Sequence, residues 1–394
     1  MLAALSPATP LGRVMAGTLV SRTGEWMDLV TLNWVALQMT NSPLHLGLIN
    51  ACRLVPTFLM SLPAGILADR YDRGQLLMLT QAASAALTLL LALVAANSAS
   101  FWLFAGVVTL RAMASSMDAP IRSALIPQLV GPDQVSRAVA LQSTLLSMSR
   151  ILGPALGGIL MGMLGAPAVF AISAGLIALA LPLTAGLRSN TPRRPAASRA
   201  GLSDALAYLK GEPLIQALML LAIVPMIFGF PYTAMMPLFV RDVIGLGPQG
   251  LGILLSVTAI GALLGSGRLS VMGEGSHAGR WLIVSLLAFG GSLMLLMQTR
   301  SLPAAALVMG LVGLTGQTYR TLSRISLQTR VPDHLRGRVM SIALMDRGFI
   351  PLGALLIGLI AGWAGAWTAG MAMGVGCIGI TLLVLLRSRS LLRL

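Results

Sequence analysis

The chain is 394 residues long, 56% hydrophobic and only 10% charged, with 43 glycines and a formal net charge of +15. Soluble domains carry about a quarter charged residues, so this composition excludes a soluble globular protein and points to the bilayer. The two cysteines, Cys52 and Cys377, and the three histidines, His45, His277 and His334, are too scattered for a metal site or a disulfide framework, and no cofactor is expected.

The apolar residues gather into twelve blocks, at 13–38, 44–68, 75–96, 100–121, 136–163, 167–187, 214–240, 249–272, 280–298, 302–324, 338–363 and 366–386. Each is long enough to cross the hydrocarbon core as a helix, and none shows the strict alternation of a barrel strand. The expected fold class is an all-α membrane protein with twelve transmembrane helices in two pseudo-symmetric six-helix bundles. The first bundle covers 1–187, a basic, proline-containing cytoplasmic linker covers 188–213, and the second bundle covers 214–394. With both termini in the cytoplasm, 19 of the 27 basic residues fall in cytoplasmic segments, Arg241 and Arg300 fall outside, and six lie within spans. That asymmetry is the positive-inside rule. The basic excess therefore sets topology, with acidic membrane lipids as its partner and no role for nucleic acid.

Taken in chain order, the first block carries Arg22, Glu25 and Asp28 at intervals of three, a stripe on one helix face expected to line a central cavity. Trp34 follows in the same block, and Asn50 and Arg53 lie in the second. The loop after the second block reads "GILADRYDRG", four charges within five residues. Gly65 permits close helix approach, Asp69 can sit against a helix N-terminus, and Arg73 can bridge two carboxylates. The fourth block holds Arg111 and, near its cytoplasmic end, Asp118. The fifth holds Gln142, Arg150 and the run "RILGPALGG", in which Pro154 removes a helical hydrogen bond. Tyr232 and Met235 lie in the seventh block, Gln317 and Arg320 in the tenth, Asp346 and Arg347 in the eleventh. Ionisable residues in spans cost about 3 kcal/mol each when left facing lipid, so those of this chain must pair or face water. Trp34, Asn50, Arg53, Gln142, Tyr232, Met235 and Gln317 are the candidate substrate contacts of a large amphiphilic cavity.

The two halves resemble each other at an offset of 200 residues. Pro132-Asp133 recurs as Pro332-Asp333, and Leu152, Gly153, Leu156, Gly158 and Gly162 recur as Leu352, Gly353, Leu356, Gly358 and Gly362. Parallel six-helix repeats are a known transporter plan, with substrate held near the midplane between halves that expose it alternately.

Gly65, Ala68, Asp69, Arg70 and Arg73 resemble, in order, the signature loop of the major facilitator superfamily. Asp72 stands where that family usually has glycine, and Gly74 and Gln75 stand where it often has basic residues. The resemblance implies a cytoplasmic gate in which Asp118 lies beside Arg73, with Asp69, Arg70 and the start of the eleventh span near Arg338. Gly153, Pro154, Gly157 and Gly158 resemble the exporters' motif in the fifth span and imply a second gating element packed on the eighth. The stretches "SRTGEW", "TNSPLHLGL", "DAPIRSALIPQLV" and "PDHLRGRVMSIALMDRGFIPLGALLIG" resemble the drug and siderophore exporter branch, which includes enterobactin and macrolide exporters.

Without a Walker sequence or a Ser, His and Asp set at a common depth, an enzyme or an ATP-driven pump is not expected. The function implied is a monomeric secondary active exporter of amphiphilic small molecules in a bacterial inner membrane, exchanging substrate for protons. Glu25 or Asp28 takes the proton, and Arg111 pairs with the deprotonated acid. The alternatives are a dedicated siderophore or metabolite exporter, a lipid transporter, and a non-transporting scaffold. A fixed salt-bridge network would account for the same buried charges.

Overall fold

The computed structural model describes residues 9–97, 100–187, 207–209, 211–272, 278–388 and 391, and the side chains of residues 61, 62, 65, 66, 68–70, 268–272 and 334 lie outside that description. Most of the expected linker, including 188–206, falls outside it as well. Every regular element among the described residues is helical. In chain order these are α1 (Pro10–Thr40), α2 (Pro43–Arg70), α3 (Arg73–Ala96), α4 (Phe101–Ser115), α5 (Asp118–Leu125), α6 (Val135–Leu164) and α7 (Ala166–Thr184). There follow α8 (Pro213–Phe228), α9 (Tyr232–Phe239), α10 (Pro248–Met272), α11 (Ala278–Leu296), α12 (Leu302–Arg330), α13 (Asp333–Ala343) and α14 (Phe349–Arg387).

Eight helical runs are apolar and long enough to cross a membrane. The last, Leu335–Arg387, has 53 residues. As one helix it would span about 80 Å, more than twice the roughly 30 Å hydrocarbon core. Gly365 divides it, with φ 87° and ψ 165°. Gly165, between α6 and α7, has almost the same backbone, φ 81° and ψ 169°. This region of conformational space is open essentially to glycine alone, so a single residue reverses the chain at matched points of the two repeats. The remaining crossings of the twelve are α1, α2 and the pair α4 and α5.

The chain forms two compact units. The first contains Met1–Asn41, Ile49–Pro195 and the first turns of α10, Gly247–Ser256; the second contains Ser42–Leu48, Ala196–Leu246 and Val257–Leu394. Within the first unit a Cβ on Gly158 would come 2.5 Å from the Pro248 carbonyl oxygen and 2.9 Å from the Gly252 Cα. Within the second, a Cβ on Gly358 would come 2.8 Å from the Pro43 carbonyl oxygen, and one on Gly47 would come 2.7 Å from the Ala354 carbonyl oxygen. Gly158 and Gly358 are the repeat-matched pair read from the sequence, and each takes the same kind of contact in its own unit.

At one end of the first unit, α1, α3, α5 and α6 share an apolar core of Val14, Met15, Leu77, Ile121, Leu125 and Leu145. Ile121 and Leu125 lie one turn apart on α5. Asp118 and Arg122, also one turn apart, occupy the adjoining face of that helix and are equally buried. This eight-residue helix therefore carries a buried ion pair alongside its apolar anchor.

Candidate functional site

The charges of the first unit form two connected groups along α1. In the first, Arg122 donates from Nε to Asp118 Oδ1 at 2.7 Å, from Nη1 to Thr18 Oγ1 at 2.7 Å and from Nη2 to Ser21 Oγ at 3.4 Å. At 1% exposure, Arg122 heads the large, fully buried side chains of the described residues. Arg22 completes the group, pairing with Asp118 and, at 2.6 Å, with Glu25. Taking a guanidinium out of water costs several kcal/mol, offset only when its donors are matched. Arg122 meets that condition with three oxygens, two of them supplied by α1 hydroxyls spaced to lie on one face.

The second group lies further along α1. Asp28, 2% exposed, forms an ion pair with Arg111 of α4, itself 8% exposed. Arg53 of α2 lies within electrostatic reach of both. Near this pair Asn50 donates to Asn33 Oδ1 at 2.5 Å, joining α2 to α1. The three charges expected as one cavity-lining stripe are thus divided: Arg22 and Glu25 belong with Asp118, and Asp28 with Arg111. Arg111 meets Asp28 and not Glu25.

Helix α6 is held between two neighbours by its glycines. A Cβ on Gly153 would meet the Thr23 carbonyl oxygen at 2.9 Å, and one on Gly157 the Met27 carbonyl oxygen at 2.6 Å, both on α1. Gly158 and the Pro154 carbonyl instead face Gly252 at the start of α10. Ser256 of α10 donates to the Ile151 carbonyl at 2.6 Å. Arg150 stacks on the Trp26 ring of α1 at 5.6 Å. The exporter-like run therefore presents one glycine pair to α1, directly beside Asp28, and another small face to α10. Gly162 continues the second face, where its missing side chain makes room for Gln249.

The loop after α2 departs from expectation in one respect and explains two departures of its sequence. Asp118 pairs with Arg22 and Arg122, not with Arg73, whose Nη1 donates to the Ala124 carbonyl at the C-terminal end of α5 at 3.2 Å. A helix C-terminus offers unpaired carbonyls and partial negative charge that suit a guanidinium. Asp72 sits at a helix N-terminus, capping α3 by accepting from Gln75 N–H at 2.9 Å. Gly74 abuts the Leu187 carbonyl so closely that no Cβ fits. The acid and the glycine that stand in place of the usual residues are therefore a helix cap and a contact with the chain leaving α7. Gly65, Asp69 and Arg70 lie among the side chains outside the description, and Arg338 lies on α13 of the second unit.

The substrate-contact candidates divide between the units. Trp34, Asn50, Arg53 and Gln142 are in the first, and Trp34 lines a cavity there with Gln38, Met161, Gly162 and Gln249. Tyr232, Met235 and Gln317 are in the second. Tyr232 and Met235 are buried, Tyr232 edge-on to Phe289, and Gln317 donates to Thr321 along its own helix at 3.4 Å. Arg122 escaped the sequence reading because it lies one residue past the expected end of the fourth span, where an arginine looks like an ordinary cytoplasmic charge. Its i, i+4 spacing from Asp118 was the available signal.

Twelve crossings in two repeats, with paired charges buried in the spans, are the architecture of a transporter of the major facilitator superfamily. Residues 7–394 match the family model described as transmembrane secretion effector, and the chain belongs to that family. It is similar to the staphyloferrin A transporter of Staphylococcus aureus, 29% identical with 93% of this chain and 94% of that protein covered. It is also similar to the multidrug efflux pump Tap of Mycolicibacterium fortuitum, 23% identical with 97% of each covered. Among solved structures, a bacterial homologue of the human lysosomal transporter Spinster superposes with a TM-score of 0.75 at 17% identity, covering 95% of this chain and 96% of that one. The chain is a multi-pass membrane transporter of small molecules and not an enzyme.

Proposed function

We propose that this transporter is a proton-coupled antiporter that exports amphiphilic small molecules by alternating access. The observation that carries the proposal is the Asp28–Arg111 ion pair, buried between α1 and α4 beside the glycine contacts of α6. A carboxylate in this setting has two stable states. Ionised, it neutralises Arg111; protonated, it leaves Arg111 to seek another partner. Proton arrival therefore changes the contacts that hold α1 to α4, and a change of contacts is what a ligand needs to bias a two-state equilibrium. Glu25, tied to Arg22 and more exposed, is the second candidate for the proton path. Gating falls to the loop after α2 (Gly65, Asp69, Arg70, Arg73), to Asp118 and to the glycine faces of α6. The setting is a bacterial inner membrane with both termini cytoplasmic, the working unit a monomer, and acidic lipids partner the basic cytoplasmic segments. A dedicated siderophore exporter is the second reading, favoured by the likeness to the staphyloferrin A transporter.

The test is efflux from proteoliposomes under an imposed pH gradient, comparing wild type with Asp28→Asn and Glu25→Gln over a panel of dyes and drugs. Wild type should accumulate substrate uphill, and Asp28→Asn should only equilibrate it. Uphill accumulation by Asp28→Asn equal to wild type would reject Asp28 as the coupling acid, and a wild type indifferent to the gradient would reject proton coupling.

A further inference from the structure

The seam between α6 and α10 changes character along its length. Near the middle of α6, Ser256 donates to the Ile151 carbonyl and Gly158 lies against Gly252 with no room for a Cβ. Beyond those contacts the two helices part around a cavity of about 350 Å³, bounded on a third side by α1. Its walls include Trp34 and Gln38 of α1, Met161 and Gly162 of α6, Gly165 of the following turn and Gln249 of α10, all within the first unit. The volume suits a small molecule, whose pockets run from roughly 300 to 1,000 Å³.

Three polar side chains of these walls have no partner among the described residues. Trp34 is only 6% exposed, yet its indole N–H donates to no described oxygen. A buried tryptophan usually satisfies that donor, because a donor left unmade loses its hydrogen bond to water without replacement. Gln38, one turn along α1, and Gln249, in the first turn of α10, are exposed at the mouth and likewise bond to no described residue. Gly162 gives Gln249 its place, since a Cβ there would overlap the Gln249 amide. Repeat symmetry does not require this, because the matched Gly362 borders open space. No described residue that lines the cavity is ionisable. A charged ligand would give up water there without a charged partner, which is costly. A carbonyl can instead accept from Trp34, and an amide can both donate to and accept from the two glutamines.

We infer that this cavity is a binding subsite for an uncharged, planar, hydrogen-bonding group, of which an aromatic carboxamide is the simplest example. Trp34 donates to the ligand's carbonyl, and Gln38 and Gln249 take the remaining edge of its amide. The inference rests on the export reading proposed above and adds a ligand class to it. With the termini cytoplasmic, as proposed, the cavity opens on the outer side of the membrane. Trp34 lies six residues, about 9 Å, along α1 from Asp28, so a ligand held here is separate from the ion pair that carries the proton.

The experiment is equilibrium dialysis of the purified full-length protein in one detergent, with protein-free micelles as the blank. The probes are 2-naphthamide, the anion 2-naphthoate and the cation 2-naphthylmethylammonium. The proteins are wild type, Trp34→Phe, which keeps a ring and loses the N–H, and Gln249→Leu, whose exposed position keeps the test independent of folding. Wild type should bind 2-naphthamide saturably and about tenfold more tightly than either ion. Each variant should weaken 2-naphthamide about fivefold, the effect of one neutral hydrogen bond, and leave the ions unchanged. An ion bound as tightly as the amide, no saturable amide binding, amide affinity unchanged in both variants, or equal loss of all three probes would each overturn the inference. No gradient is applied, so the two readings fail separately. Uphill efflux without 2-naphthamide binding removes the subsite and spares the exporter, and 2-naphthamide binding without uphill efflux does the reverse.

Discussion

Arg122→Met removes the most deeply buried guanidinium among the described residues of the first unit without changing side-chain length greatly. The native side chain makes one charge-assisted bond to Asp118 and two bonds to the hydroxyls of Thr18 and Ser21. Hydrogen bonds to charged groups contribute about 1.5–3 kcal/mol and neutral ones about 1 kcal/mol, and breaking a buried pair from one side costs about 3–5 kcal/mol. Asp118 retains Arg22, which limits the loss, so we expect about 3 kcal/mol. Asp118→Asn alone should be destabilising too, since it leaves Arg122 and Arg22 with an uncharged partner. In the double variant neither buried charge of the α5 pair remains, and Arg22 keeps Glu25. The two costs should therefore fall short of adding by at least 1.5 kcal/mol. The assay is thermal and denaturant unfolding of the purified protein in one detergent, as a double-mutant cycle. Additivity within about 0.5 kcal/mol, the behaviour of independent sites, would refute the reasoning and make Arg122 a packing residue.

Gly165→Ala and Gly365→Ala should each cost about 1–3 kcal/mol, because both positions hold a backbone that side chains scarcely tolerate; Gly175→Ala, inside α7 with open space for its Cβ, is the control and should be neutral or stabilising by up to about 1 kcal/mol. Gly74→Ala should lower the unfolding midpoint and expression, since its Cβ collides with the Leu187 carbonyl, and restoration of a family-like basic residue there should be worse, not better. Gly158→Ala and Gly358→Ala should both slow substrate counterflow while leaving equilibrium substrate binding within twofold, as overpacking of about 1–3 kcal/mol falls on helix contacts and not on the substrate pocket. Equal losses of binding and flux in either variant would place those glycines in the pocket instead.

How much of this was legible beforehand depends on what kind of signal each feature leaves. The crossings were, because an apolar block is a property of twenty residues at once. The Asp28–Arg111 pair was nearly so, since opposite charges inside apolar spans have few ways to be satisfied, although Glu25 was an equal claimant until α1's rotation separated them. The partner of Asp118 was not legible. Family likeness pointed to Arg73, while the structure uses Arg22 and Arg122, and only the path of α5 under α1 brings Arg122 to Thr18 and Ser21. Asp72 could have been read as a cap from Gln75 three residues on, but it lay hidden in a dense charge cluster. The turns at Gly165 and Gly365 were hidden among 43 glycines, where no single one stands out until its φ is known.

The measurement that bears most directly on Asp28 as the coupling group is proton release on substrate binding, read with a pH-indicating dye in weakly buffered, purified protein. If Asp28 exchanges its proton for substrate, wild type should release close to one proton per bound substrate near neutral pH, and Asp28→Asn should bind substrate and release almost none. Equal release by the two proteins, or substrate binding to wild type with no proton movement at any pH between 5 and 9, would contradict the account and leave the Asp28–Arg111 pair as a structural tie between α1 and α4.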